Sequence, residues 1–135
     1  MPKTYVSVKC EVKDAFDKTL KPALLKALSE AITTAVNANS NFTTTTKSKE
    51  MFTVSGVVIS LKADDNANPT SLEVKVSIDG VFLGGTGQAF KAAGNGKMTG
   101  TNAKKIESDA TDLVDSVVSD LMKGKVLPAM VNMLP

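Results

Sequence analysis

Apolar residues along this chain recur at every second position in some stretches and at every fourth in others, and the switches between the two periods mark its elements. Residues 4–12 alternate, with Val6, Val8, Cys10 and Val12 on one side and Tyr5, Ser7, Lys9 and Glu11 on the other, which predicts a half-buried strand. Cys10 falls on the apolar side, where a thiol acts as a small hydrophobe. From Asp14 to Val36 the positions Phe16, Leu20, Leu24, Leu28, Ile32 and Val36 recur every four residues, with Ala27, Ala31 and Ala35 widening the stripe. That spacing puts one apolar face along an amphipathic helix. Pro22 leaves two readings: a helix that starts near Lys21 with Pro22 in its first turn, or a short helical turn followed by a kink.

Beyond the turn-tolerant residues Asn37 to Asn41, the β-branched run Phe42 to Thr46 predicts a short edge strand. Met51 to Leu61 predicts a central strand, because Val57, Ile59 and Leu61 make one side apolar while Phe52, Val54 and Val58 do the same for the other, with Gly56 as the expected bulge. Asp64 to Pro69 is turn chemistry. Leu72, Val74, Val76 and Ile78 then alternate with Glu73, Lys75, Ser77 and Asp79 as a one-sided strand. Asp79-Gly80 matches a two-residue hairpin turn, with a return strand from Val81 through the glycines toward Phe90 and a break at Gly94-Asn95-Gly96. Thr101 or Asn102 can cap a second helix with the stripe Ile106, Ala110, Leu113, Val114, Val117, Val118, Leu121 and Met122, for which Gly124 is the expected stop. The order strand, helix, strands, helix predicts an α+β fold: an antiparallel sheet of about four strands with two main helices packed on one face. Residues 1–135 are expected to form one domain, with an apolar C-terminal segment over 125–135.

Composition narrows the chemistry. The chain has no His, no Trp and no Arg, so all 16 basic residues are Lys. A Ser/His/Asp or Cys/His nucleophile needs an imidazole base, common zinc sites use His, and bidentate reading of carboxylate, phosphate or guanine uses the Arg fork. The expectation is therefore a protein that is not an enzyme, with no catalytic residues, no metal and no cofactor. Only 4% of residues are aromatic, so aliphatic side chains and six Met must fill the core. No stretch reaches the ~18 apolar residues of a membrane-spanning helix. The opening Met-Pro-Lys-Thr-Tyr-Val lacks the apolar run of a secretory leader. The expected location is periplasmic or secreted where a leader was removed, and cytoplasmic otherwise.

The sequence motifs do not carry chemistry. The glycines around Gly84-Gly85-Thr86-Gly87 suggest a phosphate loop, but the pair Gly96-Lys97 has Lys91 where a P-loop needs its first glycine and Met98 where it needs Ser or Thr. Asp64, Asn66 and Asn68 match the start of a calcium loop, yet Pro69 stands at the glycine position and Lys75 at that of the bidentate Glu.

Two stretches are candidate contact surfaces. Between Gly80 and Ile106 lie Lys91, Lys97, Lys104 and Lys105 with no acid, read as a lysine-bearing loop over 91–105, whereas Glu107 to Asp120 holds five acids and no lysine. Such lysines can meet an anionic ligand as point charges. Nucleic acid is disfavoured by the lack of Arg and of interleaved aromatics. The second stretch is the Met- and Leu-rich C-terminus, where Val126, Leu127, Met130 and Met133 either contact a partner or line the core.

The layout resembles a bacterial envelope family. The first strand and helix lead to Asn41-Phe42-Thr43-Thr44, the long strand from Phe52 to Leu61, an alternating strand ending at Asp79-Gly80, a Gly/Thr/Ala return strand and an Ala/Val/Leu-rich helix. This is similar to the periplasmic domain of curli-secretion and penicillin-binding-protein-activator lipoproteins, over roughly residues 4–123. The resemblance implies a non-catalytic envelope module that binds or assembles with other proteins, and it transfers no functional residue. The expected function is thus a bacterial binding or assembly module with a protein partner or self-association. The alternative is anion or nucleic-acid binding through 91–105.

Overall fold

The computed structural model describes residues 3–47, 51–84 and 87–134, and in it the first strand, β1 (Thr4–Val12), runs parallel to both of its neighbours. A 3-10 turn at Lys18–Leu20 leads into helix α1 (Lys21–Ala38), followed by β2 (Phe42–Thr43), β3 (Met51–Ala63), β4 (Ser71–Phe82) and β5 (Ala89–Thr99). Helix α2 (Ile106–Leu121), a π turn (Met122–Val126) and α3 (Leu127–Met133) complete the order. The sheet order is β2-β1-β3-β4-β5, with β3, β4 and β5 antiparallel in sequence. The expected α+β sheet of about four strands has five, and its expected antiparallel order is corrected to a mixed one. Its cause is the position of α1: a chain that crosses a sheet face as a helix re-enters from the same end, and strands joined by such a crossover run parallel.

Both helices pack on one side, as the apolar stripes require: α1 against β1 and β3, α2 against β4 and β5, and each against the other. Leu24, Leu28, Ile32 and Val36 of α1 and Val114 and Val118 of α2 are fully buried against Val54, Val58, Val76 and Ile78. Pro22 lies in the first turn of α1, where a missing N–H costs nothing. Phe52 stacks on Phe82 at 4.5 Å between ring centroids and meets Phe42 edge-on at 5.6 Å, so three of the few aromatics close one end of the core.

Several local readings change. The bulge in β3 falls between Val58 and Ser60, not at Gly56. It puts Leu61 in the core with Phe52, Val54 and Val58, and leaves Ile59 41% exposed. Gly56 instead makes room for α1, since a Cβ there would stand 2.5 Å from Ile32 Cδ1. Asp79-Gly80 is not a turn. Both residues lie inside β4, in register with Lys91 and Phe90 of β5. Among the described residues the only positive φ values are at Gly87 and Gly100, so Gly80 lacks the conformation that the two-residue hairpin demands. Its missing side chain accommodates the Phe90 ring. β4 runs on to Phe82 and β5 starts at Ala89, while Gly85 and Thr86 of the glycine stretch lie outside the described residues.

Gly94-Asn95-Gly96 does not break the strand either. It sits mid-β5, where Leu121 and Val117 of α2 rest on Gly94 and Gly96. Asn102 is the residue that prepares α2: its Oδ1 accepts the backbone N–H groups of Lys104 and Lys105 at 3.0 and 3.1 Å. Gly124 does not end the helical run, which continues through the π turn into α3. The wide turn adds a residue between Leu121/Met122 and Val126/Leu127, and the apolar stripe so stays on the sheet side. Val126, Leu127 and Met130 are buried and Met133 is half-buried, so the core-lining alternative describes this segment.

Candidate functional site

With the helices on one face, the other face of the sheet is open. Its residues are those that alternate with the core: Ser7, Lys9 and Glu11 on β1, Thr53, Ser55 and Val57 on β3, Lys75, Ser77 and Asp79 on β4, Lys91, Ala93, Asn95 and Lys97 on β5. One row crosses four strands as successive register partners, Lys9, Ser55, Asp79 and Lys91. Another joins Lys62, Glu73 and Lys97, and Lys97 Nζ lies 3.4 Å from a Glu73 carboxylate oxygen. Ser60 and Ser77 are only 8% exposed, because the longer side chains around them close over the middle of the sheet. Asp79 Oδ1 is shielded from solvent without a hydrogen-bond partner among the described residues.

The lysine-bearing loop of the sequence reading is therefore divided. Lys91 and Lys97 stand on strand β5, each opposite an acid of β4, while Lys104 and Lys105 belong to the exposed turn before α2. Gly94 and Gly96 lie inside the strand that carries Lys91 and Lys97. Lys91 and Lys97 are six residues apart, an even spacing that places them on one face of a strand.

The edges differ. The outer edge of β1 is covered by β2 only at Thr4 and Tyr5. β5 pairs with β4 on one side and, over Ala89–Thr99, with no strand of the described residues on the other.

Shallow hollows flank this architecture. One of 320 Å³ lies at the sheet end among Lys62, Asp64, Glu73 and Lys97. Of its two acids, Glu73 faces Lys97 and Asp64 is committed to the β3–β4 turn, where it accepts the Thr70 hydroxyl at 2.6 Å and the backbone N–H groups of Ser71 and Thr70 at 2.9 and 3.0 Å. Those donors hold its carboxyl well below the usual carboxylate range. Asp65 in turn accepts the N–H groups of Ala67 and Asn68, so the calcium-like segment is an Asx turn closed by the Asp64 bonds to Thr70 and Ser71. A groove of 440 Å³ runs between the helices, lined by Ala31 and Ala35 of α1 and Thr111, Asp115 and Ser119 of α2. Among the described residues no three His, Cys, Asp or Glu side chains converge as a metal site requires. Cys10 is half-buried under α1, and burial pushes its thiol up against the lowering effect of hydrogen bonds with Ser29 and Gly56. No helix of the described residues is long and apolar enough to cross a membrane.

No protein-family model matches this chain, and no curated protein matches it. Solved structures do. The chain is similar to rare lipoprotein B from Shewanella oneidensis, with a TM-score of 0.54 and 12% identity over 96% of this chain and 98% of that one. The hypothetical protein CT253 from Chlamydia trachomatis gives 0.54 and 14% over 97% and 95%. A minor lipoprotein from Acinetobacter baumannii gives 0.51 and 12% over 99% and 97%. The two-layer fold described above is thus similar overall to that of solved bacterial lipoproteins.

Proposed function

We propose that this chain is a non-enzymatic binding or assembly module of the bacterial envelope that works through protein–protein contacts. The observation that carries the reading is the one-sided use of apolar side chains. Most of the large ones pack under the helices, leaving a broad sheet face mainly of hydroxyls and charges, with Val57, Ile59 and Val81 among them and the open edge of β5 beside it. Such a surface suits contact with another chain, whereas turnover needs a cavity in which polar groups converge. Likeness in fold to lipoproteins along nearly the whole chain supports the envelope setting.

Site-specific photo-crosslinking in bacterial cells tests the proposal. Crosslinkers at Thr53 and Asn95 on the open face, with Ser40 beyond α1 as the control, should give discrete protein adducts in the envelope fraction from the sheet positions alone. Residence in the cytosol with no discrete adduct from any position would remove it.

A further inference from the structure

We infer that β5 is a strand-addition site and that its occupant is an extended acidic segment of a partner protein. The inference deepens the protein-contact reading and rests on it. β5 is an 11-residue edge strand without proline. In an antiparallel pair every second residue turns its N–H and C=O away from the partner strand, so the outer edge of β5 offers a row of donors and acceptors. Its side chains are short along the middle, Ala92, Ala93, Gly94, Asn95 and Gly96, and leave that row accessible. A strand added there extends the sheet from five to six, and the backbone hydrogen bonds give affinity without a pocket.

Charge selects the occupant. Lys91 and Lys97 both stand on the open face of β5, and no acid occurs between Gly80 and Ile106. A second copy of this chain is a poor match, because two antiparallel β5 strands centred on Gly94 set Lys91 opposite Lys97, and like charges directly opposite are destabilising. An added strand with acids six residues apart, roughly 20 Å along an extended chain, meets both lysines. Each lysine then lies between two acids, Asp79 or Glu73 on β4 and one from the partner. The free edge of β1 has no such bias, since Lys9 and Glu11 follow one another on its open side.

The probe is a synthetic peptide of the same 11-residue length alternating Glu and Thr. Titrated into the whole chain at low salt, it should slow hydrogen exchange of alternate β5 amides about tenfold, a protection equivalent to about 1.4 kcal/mol. The same peptide N-methylated at alternate residues should give none. The double variant Lys91→Glu/Lys97→Glu, altered only at exposed positions and checked for native circular dichroism, should lose the Glu peptide and gain a Lys/Thr one. Equal binding by the methylated peptide, binding without protection of β5, or no binding at all would overturn the inference and leave the lysines as guards of a bare edge. A concentration-dependent dimer protected along β5 would overturn it in favour of a second copy. Discrete photo-adducts from the sheet face alongside a failed peptide titration would sink this inference while the protein-contact reading stands.

Discussion

Gly96→Ala separates two descriptions of the chain by the sign of its effect. In a loop with ordinary φ, replacing Gly by Ala stabilises by ~0.4–1 kcal/mol through the unfolded state. In β5 the new Cβ would stand 2.5 Å from Val117 Cγ2 and 3.1 Å from Leu113 Cδ1. The first distance is roughly 1 Å short of van der Waals contact. Valine in a helix is stiff at χ1, so the contact is relieved only by moving α2 away from the sheet. Overpacking of this kind costs ~1–3 kcal/mol, and after crediting the gain in alanine over glycine the expected net destabilisation is about 1–2 kcal/mol. Val117, 8% exposed, is the test of cause. Val117→Ala alone should cost about 1–2 kcal/mol, and the double variant should be less destabilised than the sum by about 1–2 kcal/mol. With no Trp in the chain, urea unfolding followed by far-ultraviolet circular dichroism is the assay. A stabilised Gly96→Ala, or strictly additive variants, would refute the packing of α2 on β5.

The remaining predictions test other joints of the fold. Gly80→Ala should destabilise by about 1–2 kcal/mol, and Phe90→Ala should relieve most of that increment; a hairpin turn at Asp79-Gly80 would show no such rescue. Asp64→Asn should lower stability at neutral pH, because the Thr70 and Ser71 donors favour the ionised form. Since its folded pKa is depressed, that contribution is complete above the ordinary Asp value of about 3.9 and fades as pH falls through the folded value, so wild type and variant should converge in acid. A gap that widened on acidification would contradict the turn geometry. Cys10, raised by burial, should react with a thiol reagent far more slowly in the native chain than in urea at the same pH. Equal rates would place it at the surface. Glu73→Gln should change stability by less than about 1 kcal/mol, because its Lys97 partner is 73% exposed.

Much of the fold was legible because it depends on period alone. The stripe Leu24, Leu28, Ile32, Val36 and the alternation Leu72 to Ile78 each report a face, and each of these residues is buried on the side that its period assigns. Strand direction is a different quantity. The β1–β3 pair is parallel because a helix connects the two through β2, a property of the path rather than of either strand's side chains. The β3 bulge is also invisible to alternation: with one extra residue, Val57 and Ile59 stay on the open face while Leu61, which a strict two-residue period would put beside them, joins Phe52 in the core. The C-terminal segment was ambiguous for the same kind of reason, since apolar residues that face a partner and those that face the core share one composition.

The glycines account for the errors that bear on function. Gly80, Gly94 and Gly96 sit in dipeptides and tripeptides that are ordinary turn signals, and a local reading of them ends one strand early and breaks the next. What makes each of them a strand residue is a large side chain elsewhere: Phe90 over Gly80, Leu121 over Gly94, Val117 over Gly96. Those partners are ten to 27 residues away in sequence, beyond any local window. The same thinning of side chains that lets α2 lie close to β5 leaves the outer margin of that strand bare. Once Gly94 and Gly96 are placed inside a continuous strand, Lys91 and Lys97 cease to be charges on a loop and become two positions of one face at a fixed spacing. Recognition then depends on register as well as on charge. A loop of lysines would bind polyanions of any shape, whereas this edge discriminates between acidic segments by whether they are extended and where along them the acids fall.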